Sequence, residues 1–163
     1  MSRRILPLLL LFAGCSGDAK FSKIWGDLRG TIGSPTKVEA YRIVMPEPKG
    51  GAGLNMDYAT WKVTAGPIVL DVPTAQQLAD ILLDSKSYYR GPPKACLPMP
   101  GVRLIFTDSR RTVTILVCLE CSIVMVSSSD GQGGGDDFDP AAPAIVAIMK
   151  KLFPKDPEIQ AFK

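Results

Sequence analysis

Chemistry in this chain of 163 residues would have to be built from four cysteines and no histidine. Two of the cysteines, Cys118 and Cys121, stand three apart in residues 115–126, ILVCLECSIVMV, with Glu120 between them. That spacing could serve a redox pair or a metal ion, or mark only a buried strand that carries two thiols. The absence of histidine excludes Ser-His-Asp hydrolysis, Cys-His proteolysis, His-ligated zinc and HExxH chemistry. Carboxylate, thiol and lysine chemistry remain. The chain has 16 acidic residues, but no stretch sets two of them apart as a hydrolytic pair. They read as solvated surface, so no catalytic residue, metal ligand or cofactor is assigned.

The residues around the cysteines alternate. Every odd position from 113 to 125 is Val, Ile, Leu, Cys or Met, whereas the even ones include Thr114, Glu120 and Ser122. Period two predicts one long or bulged strand with its odd residues turned to the core. A hairpin turning at Cys118-Leu119-Glu120-Cys121 is disfavoured, because tight turns prefer Gly, Asn or Asp at their centre. Within one strand, Cys118 and Cys121 would be about 10 Å apart on opposite faces, beyond the roughly 7 Å that a disulfide spans, and unable to share a metal. No helix starts there to activate a thiol.

Cys96 is the better partner for Cys121. The polar turn Asp108-Ser109-Arg110-Arg111 pairs 102–107 with 112–117, residue i lying opposite 219 − i. Extended further, this register sets Cys96 diagonal to Cys121 on one face. The reading is a structural Cys96–Cys121 disulfide with Cys118 left as a thiol on the other face. A Cys96–Cys118 bridge and three reduced, buried cysteines are the alternatives.

The elements that must position these sulfurs follow from composition. Residues 36–45 (TKVEAYRIVM) read as a strand that ends at a Pro/Gly-rich loop. Residues 58–64 and 68–72 read as two more strands, joined by a hairpin at Ala65-Gly66-Pro67. A helix over 75–86 is predicted from Thr74 as N-cap, Gln77 three places on, and Leu78, Ile81 and Leu82 at helical spacing. Val102, Leu104 and Phe106 then alternate with Arg103, Ile105 and Thr107. Residues 127–139 (SSSDGQGGGDDFD) read as an unpacked loop. Asp139 caps a second helix with Pro140 at its first position and Ile145, Ile148, Met149 and Leu152 as its buried stripe. The expected fold is α+β, an antiparallel sheet with two helices packed on one face. Residues 36–89 and 101–153 share a strand-strand-helix order that allows a pseudo-repeat, without residue identity between them.

The first residues, MSRRILPLLLLFAGC, combine two arginines, a nine-residue apolar run from Ile5 to Ala13, and small residues before Cys15. The run is too short to span a bilayer as a helix, which takes roughly 20 residues, and reads as an export signal. Leu11-Phe12-Ala13-Gly14-Cys15 resembles the lipobox of bacterial lipoproteins, with Phe12 where leucine is usual. The resemblance covers these fifteen residues. It implies removal of 1–14 and acylation of Cys15, with 15–35 as lipidated N-terminus and tether; the elements read above make 36–163 one α+β domain. Ser16 resembles an outer-membrane sorting signal.

Loss of 1–14 leaves 17 basic residues against 16 acidic ones. Lys and Arg are scattered, so nucleic acid is not an expected partner. Attachment to a membrane would come from the lipid. Residues 131–139 partly resemble the glycine-aspartate nonapeptide of calcium-binding β-helix repeats, but those work by stacking and this one occurs once. Trp25, Trp61, Tyr88 and Tyr89 could line a ligand surface, and aromatic residues in so small a domain are more often core. The expectation is a lipid-anchored cell-envelope protein, exported to the periplasmic or outer-membrane side, with a non-enzymatic role in binding another envelope protein or in structure. The rival is an exported thiol-redox or metal-handling protein that uses Cys96, Cys118 and Cys121.

Overall fold

The computed structural model describes residues 21, 23–46 and 56–163; Cys15 and the stretch read as an export signal lie outside the described residues. Among the described residues six strands, β1 (Lys37–Val44), β2 (Lys62–Val69), β3 (Val102–Thr107), β4 (Thr112–Cys118), β5 (Ile123–Ser128) and β6 (Gly133–Asp137), form one sheet in the order β2-β1-β3-β4-β5-β6. Every neighbouring pair is antiparallel. Helices α1 (Arg29–Gly33), α2 (Val72–Leu83), α3 (Ala142–Leu152) and α4 (Pro157–Ala161) complete an α+β architecture. Because β2 and β3 both flank β1 antiparallel, they run parallel to each other, and α2 carries the chain across between them.

The alternation read from β3 and β4 sets the layering. Val38 and Ala40 of β1, Val102, Leu104 and Phe106 of β3, Val113, Ile115 and Val117 of β4, and Val124 and Val126 of β5 share one buried cluster. Leu78, Ala79 and Leu82 of α2 and Ile145, Val146, Ile148 and Met149 of α3 belong to the same cluster. The i, i+3, i+4 recurrence in α3 turns an apolar stripe inward, and Lys150 and Lys151 sit in its last turn, where they suit the helix dipole. The expected β3–β4 register is the observed one: Val102 lies opposite Val117 and Thr107 opposite Thr112.

Several local expectations give way. Residues 62–69 form a single strand, not the far halves of two strands joined by a hairpin, and Gly66 passes through β2 at φ 101°. A Cβ there would come within 2.5 Å of the Ala40 carbonyl oxygen, so only glycine fits at this crossing. Helix α2 starts three residues early, because the Asp71 carboxylate takes the capping role and accepts from the Thr74 N–H at 2.8 Å. Its end at Leu83 is followed by a 3-10 turn, Ser85–Ser87. Residues 133–137, read as loop, are β6, paired with β5 along the backbone. Glycine weakens a strand through lost side-chain packing but keeps every hydrogen-bonding group. Asp139 opens a 3-10 turn, Asp139–Ala141, that leads into α3. The second half therefore sets four strands before its long helix where the first sets two.

The stretch read as tether also contributes to the fold. Phe21, Ile24, Trp25, Leu28 and Ile32 are all buried in the main cluster. Rings of Phe21 and Trp25 lie 5.7 Å and 5.4 Å from that of Tyr88. The Thr31 hydroxyl donates to Asp108 at 2.7 Å and ties α1 to the β3–β4 turn.

Candidate functional site

The cysteines meet at the β4–β5 turn. The continuous strand expected over 113–125 is instead a hairpin: Cys118 pairs with Ile123, and residues 119–122 form the loop. Four residues, with Ser122 at φ 53° in the left-handed region, make the reversal without the Gly or Asn that a two-residue turn requires. The pairing sum is odd, so partners have opposite sequence parity. Val124 and Val126 share the core face with Val113, Ile115 and Val117, while Met125 lies opposite Leu116 on the other face. The odd-numbered stripe thus crosses the sheet at the turn.

This reversal corrects the placement of the thiols. Cys118 and Cys121 do not sit about 10 Å apart on opposite faces; they share one buried cluster with Ile123, and Met125 packs against it. The Cys121 N–H donates to the Cys118 sulfur at 3.4 Å. Cys118 is fully buried. Cys96 and Cys121 lie at disulfide distance, with Cα atoms 6.3 Å apart, inside the usual range for a bridge. Cys96 is on the exposed connector before β3, so the centre runs from solvent to interior in the order Cys96, Cys121, Cys118. Lys94 steadies it by donating to the Cys121 carbonyl oxygen at 2.6 Å and pairing with Asp139. Among the described residues, no three Cys, Asp, Glu or His side chains come together as a metal site.

Beside this centre, the sheet face opposite the main cluster carries a groove of about 450 Å³. Arg103 and Ile105 of β3, Thr114 and Leu116 of β4, and Ser127 of β5 form its floor, and residues 56–59 form its wall. The Arg103 guanidinium donates to the Tyr58 carbonyl oxygen at 2.5 Å, which fixes wall to floor. Tyr58 packs edge-on against Trp61, ring centroids 5.1 Å apart, and its hydroxyl donates to the Pro98 carbonyl oxygen at 3.3 Å. Burial, and then the charge of nearby Cys118, raise the Tyr58 phenol above its ordinary value. Met45, Met99 and Met125 pack around Ile43, Trp61 and Leu116 on the same side of the sheet. The alternation of Arg103, Ile105 and Thr107 carried the signal for this floor; nothing in the sequence marked Met56 or Tyr58 as its wall.

The aromatic residues divide. Trp25 and Tyr88 are core, with the Tyr88 hydroxyl donating to the Leu82 carbonyl oxygen at 2.7 Å, whereas Tyr89 is exposed. Among the described residues, no helix is long and apolar enough to cross a membrane. The chain matches no family model, no curated protein and no solved structure.

Proposed function

We propose that this is a lipid-anchored cell-envelope protein that offers the groove over β3, β4 and β5 to another envelope protein, in a non-enzymatic binding or structural role. The reading rests on the lipobox-like start and on one spatial relationship. Phe21 joins the cluster on one side of the sheet, and the groove opens on the other. Cys15 precedes Phe21 by six residues, which span at most about 20 Å when extended. An acyl group on Cys15 would hold the Phe21 side of the domain close to the bilayer and leave the groove clear of the anchor. The groove suits a protein surface: Ile105, Leu116 and the adaptable thioether of Met56 supply apolar contact, with Thr114, Ser127 and Arg103 as polar groups between them.

Fractionation of cells that express the wild type, Cys15→Ser and Thr114→Trp tests both halves. Cys15→Ser should leave the membrane fraction. Thr114→Trp, whose indole fills the groove from a non-core position, should stay in the membrane fraction and lose a protein that crosslinks to a photoreactive residue at Ser127 in the wild type. A wild-type chain that gives no crosslink at Ser127 refutes the binding half, and membrane retention of Cys15→Ser refutes the anchor.

The sulfur centre supports a second reading, an exported thiol protein acting through Cys96, Cys118 and Cys121. Its support is the contact between Cys118 and Cys121, because a buried thiol beside a bridge can take part in exchange that an isolated thiol cannot.

A further inference from the structure

We propose that the three cysteines form an internal thiol-disulfide relay, in which a Cys96–Cys121 bridge exchanges with a Cys118–Cys121 bridge and delivers Cys96 to the surface as a thiol. The proposal rests on the second reading above and on a bridge between Cys96 and Cys121.

Three observations carry it. Cys121 is common to both pairs, with the Cys96 Cα at 6.3 Å on one side and the Cys118 sulfur against its own N–H on the other. Cys118 ends β4 and Cys121 lies in the loop that reverses the chain, so the two are three residues apart with the Cys118 sulfur 3.4 Å from the Cys121 backbone nitrogen. Finally, exposure is graded. Cys118 is fully buried and Cys121 nearly so, while Cys96 is exposed in a connector that contains no helix or strand. Exchange therefore moves the free thiol from the interior to the surface.

The step is an isomerisation and needs no outside oxidant. When local opening of the turn admits water to Cys118, its thiol loses its proton and its sulfur attacks that of Cys121. The Cys118–Cys121 bond forms as the Cys96–Cys121 bond breaks, and Cys96 leaves as a thiolate that solvent protonates. One disulfide and one thiol are present before and after. Exposed Cys96 could then attack a disulfide of another protein by the same displacement, forming a mixed disulfide and releasing a thiolate from that protein. In the starting state, the only thiol of the centre is buried and cannot reach such a substrate.

The test is irreversible trapping on the full mature chain made with Cys15→Ser. Folded protein is held with a maleimide in mildly alkaline buffer, where more thiol is thiolate, and digested with trypsin without reductant. Cleavage after Lys94, Arg103, Arg111 and Lys150 puts Cys96 on one peptide and both Cys118 and Cys121 on another. The relay predicts about one maleimide per chain, on Cys96, and a 112–150 peptide lighter by two hydrogens from an internal bridge. Cys118→Ser should keep Cys96 bridged and take up no maleimide; Cys118→Ala serves if the serine variant does not fold. A single thiol that stays on Cys118, with peptides 95–103 and 112–150 still joined, overturns the relay and leaves the bridge standing. Three thiols at the outset overturn the bridge and the relay together.

Discussion

The Arg42 guanidinium donates to the Asp156 carboxylate at 2.8 Å, joining the middle of β1 to the cap of α4. Arg42 is buried, and its other N–H groups reach the carbonyl oxygens of Ile43 and Gly101 at 2.7 and 2.9 Å and the Glu158 carboxylate. A guanidinium in this position fastens the C-terminal segment to the sheet. Arg42→Ala would leave those acceptors unpaired and is predicted to cost about 2–4 kcal/mol. Arg42→Lys should recover little, since an ammonium cannot reproduce the planar fork. Urea unfolding of the three proteins measures this, and equal midpoints would contradict the clasp.

The core of the folded domain includes residues before position 36. Trp25, Leu28 and Ile32 are fully buried beneath the same cluster as Phe106 and Ile145. Trp25→Ala is predicted to cost about 3–5 kcal/mol, the usual range for deleting a buried aromatic side chain. A chain that starts at residue 36 should give a broad or absent thermal transition, whereas one that starts at residue 21 should unfold cooperatively. Calorimetry of the two truncated chains distinguishes a packed segment from a tether.

What the sequence disclosed depended on whether a local signal was unique. The Asp108-Arg111 turn left one way to pair β3 with β4, and that register is observed. The β4–β5 reversal was hidden because both faces there are apolar: Leu116 and Cys118 are buried on one face and Val113 and Val117 on the other, so alternation ran on through the turn. Composition concealed β6, since Gly133, Gly134 and Gly135 look like loop although β5 supplies their backbone partners. For 21–32, proximity to the lipobox outweighed an apolar pattern at Phe21, Trp25, Leu28 and Ile32 that fits a buried helical stripe. The groove floor was half legible from β3, while its wall depended on a tertiary contact from Arg103 to Tyr58.

Asp108 should titrate unusually low. Hydrogen bonds from the N–H groups of Arg110 and Arg111, and then from the Thr31 hydroxyl, favour its carboxylate and lower its pKa from an ordinary 3.8 to about 2. A depressed folded-state value means that the stabilisation is present above pH 3.8 and is lost as pH falls towards 2. Carbon-13 NMR of the Asp108 carboxyl should give a midpoint near the lower figure. Thr31→Val, which removes one donor, should raise it, and a midpoint unchanged by that substitution would remove Thr31 from the account.

Sulfur accounting provides a stability prediction as well. If Cys96 and Cys121 are bridged, they close a loop of sequence separation 25, and breaking it by reduction should cost about 3 kcal/mol. In the Cys15→Ser protein, brief alkylation of the folded chain at neutral pH should label nothing, because Cys118 is buried, and alkylation in denaturant without reductant should label one cysteine, because a bridge leaves one thiol of the three. Urea midpoints with and without reductant, together with the two labelling counts, check both statements. An oxidised and a reduced protein of equal stability would argue against a bridge.

The most direct measurement is the intact mass of the native protein extracted from membranes, with fragmentation of its first peptide. The account predicts a mature chain that begins at Cys15, lacks residues 1–14 and carries acyl chains on that residue. An unmodified Cys15, or a chain that begins elsewhere, would contradict the anchored envelope protein on which the proposed role of the groove depends.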